Sequence, residues 1–406
     1  MNIVIIGAGI AGISAAETIR QTNPKADVTL FSGERVYPYY RPRLPEVVAG
    51  KISPEKIQVH PEEWYREKKL EFRLGETVAD VCLDNMQVRG SLGSRLVFDG
   101  MLLATGAESF FPKAAADFKL PGIFPVRTMV DAWDLNFNAK KVKKALLLGS
   151  GLLGLEIGHA LTALGLETHV LERSTRILPF QTTPKSSEKL RGFLERDGMV
   201  FHLESEALSA DGKERLERVT LRSGEVIETP LMVVSAGVTP NVEIAKTLGL
   251  KIDGGIRVNK HMETSVRGIY AAGDCARTPD GKGGLWSIAR LEGIAAGRNL
   301  AAERPEDRVP YEPPVPSSVL KVAGHDLVAS GDIDPDQKLP FAECETESFY
   351  RKVVVDRAGL LVGFTNAGTT VGNKELTRAL KKTVISPETL VDLEDPDFDF
   401  KRLQEA

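Results

Sequence analysis

Two glycine runs of one spacing, Gly7-Ala8-Gly9-Ile10-Ala11-Gly12 and Gly149-Ser150-Gly151-Leu152-Leu153-Gly154, each stand directly behind a short apolar segment. In G-x-G-x-x-G the first glycine permits a tight strand-to-helix turn. The second lets backbone N–H groups approach a pyrophosphate, and the third lets the helix pack closely on its sheet. Phosphates then rest at a helix N-terminus, where unpaired N–H groups and the helix dipole favour anions. One such run can be a glycine turn of no consequence, so context decides.

The context is complete at both places. Asn2-Ile3-Val4-Ile5-Ile6 is rich in β-branched residues, as a strand buried on both faces should be, and Ile13 to Thr22 reads as an Ala-rich helix. Val28-Thr29-Leu30-Phe31 supplies the next strand. The second run has Ala145-Leu146-Leu147-Leu148 before it, a helix from Leu152 to about Leu164 after it, and then His169-Val170-Leu171-Glu172. Residues 145–166 are apolar and long enough to span a bilayer, but five glycines, Glu156 and His159 favour the nucleotide fold. The chain starts directly on a strand, with no room for a signal peptide, so a cytoplasmic protein is expected.

The 406 residues suffice for two or three domains. A formal net charge of -4, from 52 basic and 56 acidic side chains, makes no electrostatic case for nucleic acid or an anionic membrane. Cys82, Cys275 and Cys344 lie far apart and form no CxxC, which argues against a disulfide scaffold or a zinc site.

After the first unit, Pro38-Tyr39-Tyr40-Arg41-Pro42-Arg43-Leu44-Pro45 makes a shaped loop. Strands are expected near Glu71–Leu74 and across Leu96–Leu103, ending on Ala104-Thr105-Gly106. A Pro-containing crossover from Phe111 to Pro125 leads to the second unit. That unit continues through a helix around Ser187–Asp197 and strands near Val200–Leu203 and Val219–Leu221 to Ala236-Gly237. Tyr270-Ala271-Ala272-Gly273-Asp274 follows, then a helix from Ser287 to about Ala302. Pro310 to Pro316 reads as a linker. Beyond it Ser318–Val328, Tyr350–Asp356 and Leu360–Thr365 read as antiparallel strands and Lys374–Lys382 as a basic helix. The fold class is therefore α/β, with two Rossmann-like dinucleotide-binding domains and a small C-terminal α+β domain. Expected bounds are 1–110 with 236–312, an inserted domain at 111–235, a third domain at 317–385, and an acidic, solvated tail at 386–406.

The two fingerprints, Ala104-Thr105-Gly106, Ala236-Gly237 and Tyr270-Ala271-Ala272-Gly273-Asp274, in this order, resemble the pyridine nucleotide-disulfide oxidoreductase superfamily over nearly the whole chain. In that family the N-terminal fingerprint takes FAD and the inserted one takes NAD(P)H. Pro38 to Leu44, Glu63-Trp64-Tyr65-Arg66 and Val353 to Ala367 look most like NADH:rubredoxin reductases and the N-terminal parts of assimilatory nitrite reductases.

The resemblance implies roles for single residues. Asp274, after Gly273, would bond a ribityl hydroxyl, or simply cap the next helix, whose first turn brings Ile288 to the flavin. Arg41 would reach the FAD pyrophosphate in fork geometry, and Arg127 and Val78 match further FAD contacts. At the end of the first unit the chain departs from the pattern: Ser32 stands where an acid meets the adenosine ribose, and either Glu34 or Ser32 would serve. In the second unit Glu172 occupies the ribose position. A carboxylate accepts bonds from a free 2′-hydroxyl and repels a 2′-phosphate, so NADH is expected over NADPH, a preference blunted by Arg173. Glu156 would lie near the nicotinamide, or serve the helix dipole on the first turn. Glu46 stands where many relatives carry a cationic residue near the flavin.

Disulfide and coenzyme A-disulfide reductases of this fold need cysteines that residues 35–60 lack, and Cys275 reads as a packed thiol. The expected chemistry is hydride transfer from NADH to flavin and then electron transfer to a small carrier such as rubredoxin or ferredoxin. An NADH oxidase using O₂ and a non-catalytic, NADH-sensing flavoprotein are the alternatives. The basic residues Lys374, Arg378, Lys381 and Lys382 form either a solvated face or a steering patch for an acidic carrier.

Overall fold

Ile3, Val4, Ile5 and Ile6 are all buried, so Asn2–Ile6 must lie in the interior of a sheet covered on both faces. It is the middle strand of five. In spatial order these are Ile269–Ala271, Gly100–Leu103, Asn2–Ile6, Asp27–Ser32 and Leu70–Leu74, all paired in parallel. The computed structural model describes residues 1–112, 120–281, 283–322, 325–334 and 336–404. Part of the expected Phe111–Pro125 crossover lies outside them.

The described chain divides into two compact units. The first comprises Met1–Ser109, Arg127–Ala132 and Val238–Pro314. Its helices Ile10–Thr22 and Trp286–Leu300 lie backbone against backbone, because small residues meet at the crossing. A Cβ on Gly293 would stand 2.2 Å from the Ala11 carbonyl oxygen, and one on Gly297 2.5 Å from that of Ala15. The expected single strand Leu96–Leu103 is two. Arg95–Val97 belongs to a small antiparallel sheet, and Phe98-Asp99 turns the chain so that Gly100–Leu103 enters the parallel one.

The second unit comprises Phe110–Val126, Trp133–Gly237 and Val315–Ala406. Its parallel sheet runs in the order Met199–His202, Glu167–Leu171, Lys144–Leu148, Met232–Val234, Ile123–Pro125. The last strand falls in the stretch read from sequence as a plain crossover. Its three residues are too few for periodicity to register, and pairing with Met232–Val234 makes it a strand. Helix Met129–Ala139 is a further element that no sequence pattern above marks.

The C-terminal residues form a five-stranded antiparallel sheet ordered Ser317–Leu320, Leu327–Gly331, Leu361–Ala367, Tyr350–Val355, Phe341–Glu345. The run Ser318–Val328 is thus a hairpin pair rather than one strand. The helix Pro184–Arg196 packs on this sheet: Lys189 Nζ donates to the Thr346 carbonyl at 2.8 Å, and Lys185 pairs with Glu343. The basic helix ends at Ala379. Lys381 takes φ +63°, so Lys381 and Lys382 stand beyond the helix.

The acidic tail is not a solvated strand of chain. Phe398, Phe400 and Leu403 are buried in the core of the C-terminal sheet. Arg351, 1 % exposed, donates from Nη2 to the carbonyls of Leu393 and Asp395 at 2.9 and 2.7 Å, with its guanidinium over the Phe400 ring. The acids face outward on a segment whose aromatic residues face in, a division that a count of charges does not register.

Candidate dinucleotide sites

The two fingerprints repeat one geometry. Gly7 has φ +109°, and a Cβ there would fall 2.1 Å from the Ala104 carbonyl oxygen; Gly149 has φ +105°, with the Ser235 oxygen at 2.4 Å. At the third positions, Cβ atoms on Gly12 and Gly154 would meet the carbonyl oxygens of Gly7 and Gly149 at 2.0 and 2.4 Å. The protein's own backbone therefore excludes side chains at these four places.

The second glycines differ. Gly9 and Gly151 have φ -72° and -69°, which any residue adopts, and a Cβ on either would meet nothing within 4 Å. Each is the N-cap of a helix of twelve or thirteen residues with no side-chain cap, so no cap side chain satisfies the first-turn N–H groups. Nothing in the fold calls for glycine there. A ligand that presses anionic groups against the backbone does, and a dinucleotide pyrophosphate fits both cradles.

Around the first cradle the sequence-selected residues converge. Ala104-Thr105-Gly106 closes the sheet against Gly7, and Thr105 is held to Asn241 by two hydrogen bonds of 2.7 and 2.9 Å. Asp274 Oδ2 lies 2.5 Å from Arg127 Nη2, both side chains being largely buried. Arg127 Nε donates to the Ala107 carbonyl, and Asp131 accepts the backbone N–H groups of Arg127 and Thr128 at 2.9 and 2.8 Å. Arg41 donates to the Arg127 carbonyl from one terminal nitrogen and pairs with Glu34 at 3.1 Å from the other.

Glu34 is heavily engaged: its carboxylate also accepts Tyr39 OH at 2.9 Å and Met129 N–H at 3.1 Å. Ser32 shares hydrogen bonds with the backbone of Glu34 and so shapes that turn. Tyr39 and Asp131 belong to this network and were not selected from sequence, since neither spacing nor motif marks them. Burial and then Glu34 raise the Tyr39 phenol pKa against the opposing pull of Arg41, keeping it a neutral donor. Ile288 is buried near the start of its helix, and Val78 packs half-buried on the first core.

Glu46 does not present a bare carboxylate. Arg43 grips it with two 2.7 Å bonds, a forked pair three residues apart. The missing cation of the family pattern is thus replaced by a carboxylate already matched with an arginine.

In the second unit Glu172 is buried. Its Oε2 accepts Ser150 N–H and Oγ–H at 3.1 and 2.6 Å, and its Oε1 accepts Ser174 N–H at 2.8 Å. Burial pushes its pKa up, but the Ser150 and Ser174 bonds outweigh this and hold it below the ordinary carboxylate value. Ser150, the unselected residue between the first two fingerprint glycines, orients that carboxylate. Arg173 is exposed and lines a cleft of about 240 Å³ with Ser205, Arg222 and Ser223. Leu152 and Leu153 are half-buried on the first helical turn, and Gly237 takes φ +109° with its carbonyl accepting Phe110 N–H. Glu156 accepts the Lys321 N–H of the C-terminal sheet at 3.3 Å.

Cys275 is fully buried and donates weakly to the carbonyls of Leu103 and Ala272, and burial raises its thiol pKa. It is a packed thiol. Among the described residues no cluster could hold a metal ion, and no helix is long and apolar enough to cross a membrane.

Known proteins place this chain in a family. The chain is 31% identical over 402 residues to the assimilatory nitrate reductase electron transfer subunit of Bacillus subtilis, covering 96% of this chain and 51% of that protein. The NADH-rubredoxin oxidoreductase of Clostridium acetobutylicum is 27% identical over 408 residues, covering 98% and 97% of the two chains. The crystal structure of the ferredoxin reductase for the CYP199A2 system from Rhodopseudomonas palustris shares the fold with a TM-score of 0.87 at 23% identity, covering 99% of each chain. The chain spans about half the length of its Bacillus subtilis relatives. The model of the family described as pyridine nucleotide-disulphide oxidoreductase matches residues 1–293, and with both cradles built as that family requires, the chain belongs to it.

Proposed function

We propose that this chain is an FAD-dependent oxidoreductase that takes a hydride from NADH and passes electrons singly to a small carrier such as rubredoxin or ferredoxin. The carrying observation is the pair of open cradles at Gly9 and Gly151, each the N-cap of a helix where an added Cβ would meet none of the described residues within 4 Å. In this reading FAD lies on Gly7–Gly12 and NADH on Gly149–Gly154. When bound, FAD supplies the conversion of a two-electron donor into one-electron steps.

The chain's own residues bind and orient. The Gly9 cradle would hold the FAD pyrophosphate, with Arg41 as the guanidinium that would bond it. Asp274, steered by Arg127, accepts a ribityl hydroxyl. Glu172, oriented by its hydrogen bonds from Ser150 and Ser174, is the carboxylate that would meet the ribose 2′-hydroxyl of NADH. Arg173, beside it, tempers the discrimination against NADPH rather than removing it. Val78 and Ile288 supply apolar contact to the flavin, and Glu156 marks the nicotinamide end of the second cradle.

Neither Cys275, sealed in the core, nor the segment 35–60, which holds no cysteine, offers a thiol to carry electrons onward. The acceptor is therefore external, in keeping with the clostridial relative, whose name states rubredoxin. The test is NADH-dependent reduction of rubredoxin, ferredoxin, a dye and O₂ in parallel by the FAD-loaded chain. Fast carrier reduction with slow reoxidation by O₂ is expected. O₂ consumption outrunning every carrier would make the chain an oxidase, and a long-lived reduced complex with no turnover would make it a sensor.

A further inference from the structure

Glu292 is 2 % exposed, on the helix Trp286–Leu300, with no role in the site as described. A carboxyl group in a core needs a structural reason. Its Oε2 accepts the buried Gly273 N–H at 2.8 Å. Gly273 has φ +79°, and a Cβ on it would stand 2.9 Å from Ala11 Cβ in the first fingerprint. The residue after it is Asp274, paired with Arg127. The neighbour Gly293 lies against the Ala11 carbonyl, so Glu292 sits behind the turn that joins the first cradle to Asp274.

We propose that Glu292 is a positioning residue for the flavin site: its buried carboxyl group sets the Gly273–Asp274 turn through the Gly273 N–H, and its proton occupancy governs how tightly that site holds FAD. The inference rests on the reading of the first cradle as the FAD site. Burial pushes the Glu292 pKa up to about 8, with Gly273 N–H opposing and the Asp274 charge reinforcing. Among the described residues, two titratable groups act on it. Asp274 comes from the turn, and the Tyr311 phenol, itself raised by burial and then by Glu292, comes from the segment after the helix. The first helix brings Ala11 and Ala15 to the crossing. A neutral carboxyl leaves Asp274 as the one acid at the turn, whereas an ionised one adds a second negative charge beside a ligand that carries two phosphates. Bound FAD therefore favours the protonated form, and by linkage affinity falls once Glu292 ionises.

The experiment is FAD binding to the apoprotein, read by flavin fluorescence, for wild type, E292Q and E292A between pH 6.5 and 9.5. Wild type should weaken by about fivefold or more as the pH passes 8. Glu292→Gln keeps the acceptor without the titration, so it should bind within about threefold of wild type at pH 7 and stay flat. Glu292→Ala leaves Gly273 N–H unpaired and should weaken binding roughly tenfold at pH 7. A wild-type profile flat in pH, a rise retained in E292Q, or wild-type affinity in E292A overturns the inference. If E292A does not fold, the E292Q profile decides alone. A wild-type chain that takes up no FAD at all overturns the cofactor reading as well.

Discussion

Substituting alanine at the first and at the second glycine of one fingerprint should separate what the fold needs from what a ligand needs. In G7A the new Cβ sits at φ +109°, which costs about 1–3 kcal/mol for an L-residue held there. It also lands 2.1 Å from a backbone carbonyl oxygen that can yield only by moving a core strand. Such overpacking adds about 1–3 kcal/mol, for a total of roughly 2–6 kcal/mol out of a typical stability of about 5–15 kcal/mol. In G9A the backbone at φ -72° and ψ -173° suits alanine, and the Cβ meets nothing. The loss of a glycine N-cap and the reduced entropy of the unfolded chain nearly cancel, leaving about ±0.5 kcal/mol. FAD binding should nevertheless fall about a hundredfold in G9A, some 2.7 kcal/mol, because the methyl takes the space of a phosphate oxygen. Urea unfolding of the apoprotein gives the first quantity and FAD titration the second. If G9A unfolds as easily as G7A, or binds FAD like wild type, the claim that Gly9 serves only a ligand is wrong. Gly151, at φ -69° with equally open space, should behave the same way toward NADH.

Other perturbations have defined outcomes. Glu172→Gln should weaken NADH roughly tenfold while sparing NADPH, so that the ratio of the two dissociation constants narrows; an unchanged ratio would remove Glu172 as the discriminating group. The raised Glu292 pKa makes the folded chain bind a proton that the unfolded chain releases above about pH 4.3. Its stabilising contribution is therefore complete below that pH and is lost as pH rises through about 8. Relative to wild type, E292Q should gain on the order of 3 kcal/mol between pH 4.5 and 7, measured as paired urea midpoints, and a constant difference would contradict the shift. Arg351→Met should cost about 2–4 kcal/mol by leaving the Leu393 and Asp395 carbonyls without their donor. Limited proteolysis should then cut within residues 387–404 first; a tail as resistant as in wild type would mean that Phe398, Phe400 and Leu403 hold it unaided.

Much of this protein follows from local pattern. Gly7 and Gly149 each follow a run of buried aliphatic residues and precede a helix, and both units were placed from that pattern, because a strand covered on both faces and a tight turn are demands met within about twenty residues. Glu172 was selected by its spacing from the second turn, and Asp274, Arg41 and Arg127 by the family resemblance. Their partnerships were not legible. Arg127 meets Asp274 across 147 positions, and Glu34 is claimed by Tyr39, Arg41 and Met129 N–H, a competition that no spacing encodes.

Three-residue Ile123–Pro125 becomes a strand only by pairing with Met232–Val234, and the acidic tail becomes part of a core only through Arg351 and three buried apolar side chains. Glu292 makes the contrast sharpest: by composition it is one more acid on a helix, and it reaches Gly273 only because glycines at 293 and 297 let two helices touch. By itself the sequence determined where the chain must turn tightly and where its backbone must stay bare. Which charges meet, and which of them are shut away from water, is set by long-range packing and so was decided by the tertiary structure alone.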